Sequence, residues 1–237
     1  MQFTNVLLLS SNRKAWKMSS THGTEYDRDY KDSKSNPGKH REVWDSVWKR
    51  DNFTCYYCNF RSTKYQEIHH LNQDHDDNSA INLVTVCPFC HQSFHLDTAG
   101  NTGGSKIIWL PEFSQQELNY LLRGIFIAIH KAEEAENKGL EVPGFAKIAR
   151  MLESSLAERT LILEQQFKNN ISDPSMLANV LINLPEEKYK NRESFLSNFK
   201  LLHARARFPV QIKYWADSTY KDLPIETWLK LLKNQPV

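Results

Sequence analysis

The chain has no cysteine outside two short pairs, no apolar run long enough to cross a bilayer, and almost no excess of either charge. Each shortage removes a class of protein. With all four cysteines in paired knuckles none remains for a disulfide framework, which points to a reducing, cytoplasmic setting. The apolar stretch Val6–Leu9 is too short for a secretory core, and nothing approaches the roughly 20 residues of a membrane span. A net charge of +2 and a pI near 8.3 are too weak to mark a nucleic-acid binder by charge alone. The 237 residues are 40% hydrophobic and 11% aromatic, enough to pack a core, and show no internal repeat.

What is present is concentrated. The cysteines read Cys55-x-x-Cys58 and Cys87-x-x-Cys90, with His69-His70 between the pairs and His91-x-x-x-His95 immediately after. Two such knuckles suit one tetrahedral Zn²⁺, each supplying two thiolates at about 2.3 Å. The 28 residues between Cys58 and Cys87 exceed a zinc ribbon and leave room for a histidine-bearing strand. Five of the nine histidines lie in the same stretch, which suggests a second, more open metal site.

Periodicity places these residues. Val43, Trp44, Val47 and Trp48 recur at helical spacing over His40–Arg50, and Ser19–Gly38 before them reads as polar loop. Phe53–Phe60 suits a tight hairpin, and Gln66–Leu71 and Ile81–Val86 suit strands flanking a polar loop. A helix opening at Cys90-His91 would bring His91 and His95 one turn apart. The Gly-rich stretch Ala99–Gly104 lacks Walker spacing and is expected to be a turn before a strand at Ile107–Leu110. The remainder is expected to be helical. Ser114-Gln-Gln-Glu117 is a capping box, followed by an apolar stripe of Leu118, Leu121, Leu122, Ile125, Phe126 and Ile129. Further helices are expected over Pro143–Phe167, Ser175–Asn183, Ser194–Ala206, Val210–Ser218 and Ile225–Leu232.

Ile68-His69-His70, Asn82-Leu83 and Cys87-x-x-Cys90-His91-x-x-x-His95 together resemble the HNH nuclease motif. That resemblance implies a treble-clef or ββα-metal module with a structural zinc on Cys55, Cys58, Cys87 and Cys90. It further implies His70 as the general base, Asn82 bracing the loop, and His69, His91 and His95 holding a catalytic divalent ion: Mg²⁺, Mn²⁺, Ni²⁺ or Zn²⁺. The expected fold class is α+β, with an HNH-like ββα-metal zinc module at 39–105, an all-helical region at 106–237, and a partly flexible N-terminal extension at 1–38.

A second resemblance covers about residues 5–217. Asp51-Asn-Phe-Thr-Cys-Tyr-Tyr-Cys58, Asn82–Cys87, Ile108-Trp-Leu-Pro-Glu112, Gln116–Asn119, Ser172-Asp-Pro174, His203–Phe208 and Lys213-Tyr-Trp-Ala216 read in order like the IcmJ/DotN proteins of type IVB (Dot/Icm) secretion systems. Membership implies a cytoplasmic scaffold in a coupling complex at the inner membrane. There it would bind the C-terminal segment of the coupling ATPase and aid effector recruitment. The alternative is an active HNH endonuclease with DNA as partner. Glu67, Asp74, Asp76 and Asp77 place negative charge around the proposed catalytic strand, which opposes DNA binding. Trp215, Tyr220 and Trp228 could meet a partner but suit core packing better, and the basic stretch Lys200–Lys213 suits solvated charge.

Overall fold

The computed structural model describes residues 40–221 apart from 73, 75, 102, 143, 168 and 169. The apolar stretch Val6–Leu9, the polar stretch Ser19–Gly38, and the expected helix at Ile225–Leu232 with Trp228 lie outside the described residues.

Helix α1 (Arg41–Arg50) turns its Val47 inward against Ile68 and Leu83. Its end is tied down by charge: Arg50 donates to the Ala80 and Leu83 carbonyls at 2.6 and 2.8 Å and pairs with Asp51. Asp51 in turn accepts from the Thr85 amide at 2.8 Å. Asn52 and Phe53 then adopt left-handed backbone, at φ 51° and 55°, and reverse the chain into the first knuckle. Strands β1 (Glu67–His70) and β2 (Leu83–Val86) pair antiparallel, with His69 opposite Val84 and His70 opposite Leu83. Helix α2 (Pro88–Gln92) follows directly, with the Cys87 sulfur capping the Cys90 amide and Pro88 in the first turn. Strand, strand and helix thus stack in sequence order.

Helix α3 (Leu96–Asn101) occupies much of the stretch expected as a Gly-rich turn. Gly100 is there for close approach: a Cβ on it would stand 2.5 Å from the Ser175 backbone nitrogen at the start of α7 (Pro174–Ile182). Strand β3 (Lys106–Trp109) leads to α4 (Gln115–Asn137), whose Ser114–Glu117 capping box is formed as expected. The stripe Leu118, Leu122, Ile125, Phe126 and Ile129 is buried, with Leu121 at its edge.

The region after residue 105 is not all helical. Strand β4 (Phe199–Leu202) lies inside the stretch expected as helix Ser194–Ala206 and pairs antiparallel with β3. Phe-Lys-Leu-Leu is too short for its apolar period to separate strand from helix, and pairing with a segment over ninety residues earlier decided it. The Gln115 side chain locks that pairing by bonding the Leu201 carbonyl and amide, both at 2.9 Å. The helix expected over Pro143–Phe167 is two: α5 (Phe145–Glu158) and α6 (Thr160–Gln166). They part at Arg159, whose carbonyl accepts from the Trp109 amide of β3. Short helices α8 (Glu186–Lys190) and α9 (Arg192–Leu196) precede β4, and α10 (Pro209–Asp217) follows a 3₁₀ turn at Arg205–Arg207.

The largest core runs across the boundary expected at 105/106. It joins the four cysteines, Phe60 and Phe89 to the apolar face of α4 and to Ile212 and Trp215 of α10. A second core gathers Ile107, Leu163, Leu177, Phe199 and Leu201 beneath the β3–β4 pair. Among the described residues, no helix is long and apolar enough to cross a membrane.

Candidate metal centres

Cys55 and Cys58 sit in a turn closed by bonds from the Cys55 amide to the Phe60 carbonyl and from the Asn59 amide to the Cys55 carbonyl, both 2.9 Å. Asn59 takes left-handed backbone, at φ 56°, to make it. The Tyr56 amide donates to the Thr85 carbonyl at 2.8 Å, fixing this knuckle beside β2 and hence beside Cys87. All four cysteines are buried and free of disulfides, and their sulfurs lie within 4.8 Å of one another. Cys58 Sγ and Cys87 Sγ are 3.6 Å apart, close to the edge of about 3.8 Å that a tetrahedron of 2.3 Å Zn–S bonds requires. Burial pushes the Cys87 thiol up, and contact with its neighbouring thiols does the same to Cys90. Four sulfurs at this spacing match the corners of one tetrahedral ion, so the donor set fits a metal ion and is consistent with a structural zinc.

The second group is His69, His91 and His95, with one nitrogen from each within 4.8 Å of the others. Strand alternation turns His69 toward the segment just after α2, where its ring stacks on Phe94 at 4.5 Å. His91 Nε2 and His95 Nε2 are 3.2 Å apart, near the edge of about 3.3 Å for a tetrahedral nitrogen set. The two do not share a helix as expected: α2 ends at Gln92, and His95 follows it. Glu67 Oε2 lies 2.6 Å from His91 Nδ1. A proton on Nδ1 would donate to that carboxylate and leave Nε2 as a lone pair for an ion. Glu67, read from sequence only as repulsive charge, therefore holds the His91 ring in place. Its signal was its place two residues before His69 on one strand face.

His70 is buried on the opposite strand face, with Nε2 3.4 Å from Asn78 Oδ1, and is not one of the three clustered histidines. Asn82 donates to the Asp77 carbonyl at 2.8 Å and accepts from the Asn72 amide at 3.0 Å, closing the loop between β1 and β2. A narrow cleft of about 40 Å³ opens beside His91 and His95, walled by Glu67, Thr98, Arg207 and Gln211. The basic stretch is otherwise committed. Lys200 is buried, which pushes its pKa down to about 8, and Arg205 pairs with Glu133 at 3.0 Å. Trp215 and Tyr220 are core residues.

Three polar residues to which the sequence reading gave no role lie behind the cysteines. Asn119 and Arg123 of α4 reach the sulfurs, and His203 faces Asn119 Oδ1 at 3.0 Å and Gln92 Oε1 at 2.7 Å. Their signal was two polar residues four apart within an apolar helix stripe. Burial, then the Arg123 charge, pushes His203 down to about 3. The folded ring therefore stays neutral while an unfolded histidine takes a proton near pH 6.5, so stability falls as pH drops below that value. Between pH 7 and pH 5.5 the wild type should lose about 1 kcal/mol more than His203→Gln, measured by denaturant unfolding. Equal losses would place the acid sensitivity elsewhere.

These features define a mixed helix-and-sheet protein with a buried four-cysteine cluster that could hold a metal ion and a histidine group beside it. No protein-family model matches the chain. Over 179 residues, 75% of this chain and 79% of the relative, it is 34% identical to the type 4 apparatus protein DotN of Legionella pneumophila. The chain belongs to the IcmJ/DotN family.

Proposed function

We propose that the chain is a cytoplasmic subunit of a type IVB (Dot/Icm) secretion coupling complex, a scaffold that binds the C-terminal segment of the coupling ATPase and aids effector recruitment. The relationship to a type 4 apparatus protein over three quarters of the chain carries this reading. In it Zn²⁺ occupies Cys55, Cys58, Cys87 and Cys90, and residues 39–105 form an HNH-like module that the helices after 106 extend. The packing of that module into the core of α4 and α10 suits a rigid platform.

The converging histidines favour a second reading, an HNH endonuclease. His69, His91 and His95 would hold Mg²⁺, Mn²⁺, Ni²⁺ or Zn²⁺, with His70 as general base and Asn82 as loop brace. The ion would supply charge stabilisation at a phosphodiester. The scaffold is favoured over it because the relationship to a type 4 apparatus protein spans most of the chain, whereas the nuclease reading accounts for a few histidines beside the Glu67 carboxylate.

Two measurements separate the readings. Titration calorimetry with the C-terminal segment of the coupling ATPase should show saturable binding that His70→Ala leaves intact; no heat at tens of micromolar would remove the scaffold role. Supercoiled plasmid, incubated with each ion in turn, should stay intact. Metal-dependent nicking by the wild type and not by His70→Ala would establish the enzyme instead.

A further inference from the structure

A fully buried arginine with no acidic partner is an expensive thing to build into a core, and α4 carries one. Arg123 is 0% exposed. Among the described residues no carboxylate lies within ion-pair distance of it. Its guanidinium instead points at sulfur, with Nη2 3.7 Å from Cys58 Sγ and 3.6 Å from Cys87 Sγ. One turn earlier on the same helix, Asn119 Nδ2 donates to Cys90 Sγ at 3.4 Å. Between them Tyr120 donates its hydroxyl proton to the Cys58 carbonyl. The rest of the Arg123 cation is covered by rings, with the Phe60 centroid at 3.8 Å and Phe89, Tyr120 and Trp215 at 5.4–5.8 Å. One face of α4 thus delivers a permanent positive charge and two amide or guanidinium donors to the back of the four-cysteine cluster.

Four thiolates around a dication keep a net negative charge, and in a low-dielectric interior that excess needs an answer. The same holds in reverse for the cation: ring faces attract it, but only ionised sulfur neutralises it. Each group therefore makes the other tolerable. N–H donors aimed at metal-bound thiolates also draw electron density from sulfur and lower its nucleophilicity.

We propose that Arg123, assisted by Asn119, is the charge-balancing residue of the four-cysteine centre, so that metal loading and the docking of α4 onto the N-terminal module are one coupled event. The metal then does more than staple two knuckles. It completes the surface against which the long helix packs, and the helix shields the thiolates from electrophiles. The inference rests on the cysteine centre and the α4 contacts alone, independent of the secretion or nuclease reading.

The full chain, loaded with one zinc, tests this by its rate of zinc release to a chromophoric chelator under a thiol-alkylating reagent. Arg123→Met should release zinc about 10- to 100-fold faster than wild type, and Arg123→Lys, which keeps the charge, should fall between. Ile129→Ala is the packing control: it weakens the docking of the same helix face without touching sulfur and should accelerate release far less than Arg123→Met. Release by Arg123→Met at the wild-type rate, or equal acceleration in Ile129→Ala, would overturn the proposal. Because Arg123→Met could fail to fold, wild-type hydrogen exchange supplies a second reading. Stripping the metal should remove amide protection from residues 118–126, and returning zinc should restore it. Protection that persists in the stripped protein would equally overturn the coupling.

Discussion

Cys87→Ser is expected to abolish stoichiometric zinc binding and, with it, the cooperative unfolding of the chain. Cys87 lies at the centre of the cluster: its sulfur is 3.6 Å from Cys58 Sγ, caps the Cys90 amide, and faces the Arg123 guanidinium. Serine oxygen can still cap α2, so the substitution isolates the loss of the metal ligand. Structural zinc contributes about 10–16 kcal/mol of binding energy in zinc-finger peptides, as large as the roughly 5–15 kcal/mol that separates folded from unfolded states. The loss also strands Arg123, because a guanidinium buried among rings then faces an incomplete negative centre. Metal analysis and circular-dichroism melting check the result together. One zinc per chain with an unchanged melting curve would show that the cluster holds no structural metal.

Trp215→Ala should lower stability by about 3–5 kcal/mol, a fall in melting temperature of roughly 10 °C, while leaving the zinc in place. Trp215 is 0% exposed and meets Phe60 and Phe89, from the two cysteine knuckles, edge-on at 5.2 and 5.5 Å. It is the residue through which α10 grips the two cysteine knuckles. Tyr214 reinforces the grip from the surface, its hydroxyl 2.8 Å from Thr63 Oγ1. A cavity left by removing an indole cannot close easily, because the surrounding rings and Arg123 are themselves held by the cysteine cluster. A variant that melts like the wild type yet loses its binding partner would show that Trp215 is a contact surface after all.

The family resemblance was legible because its signals are local. Cysteine pairs with two residues between them, a Ser-x-x-Glu box and a helical apolar stripe act within a turn or a knuckle, and the structure contains each of them. The split of Pro143–Phe167 at Arg159 and the strand at Phe199–Leu202 were not legible in this way. Both follow from β3, which takes up the Arg159 carbonyl and the edge of β4 from far along the chain. The Gly-rich stretch misled for a related reason. Glycine usually marks a turn, but Gly100 answers to the Ser175 backbone pressed against its helix.

The cluster showed the same division. Which cysteines gather could be read from spacing, since a knuckle's geometry is set by the few residues inside it. That Glu67 orients His91, and that Arg123 and Asn119 stand behind the sulfurs, could not. By itself the sequence picked out the four cysteines, the Ser114–Glu117 cap and the family. Only the tertiary structure decided which buried charges answer those donors, because a side chain's electrostatic partners are chosen by packing between elements and not by their distance along the chain.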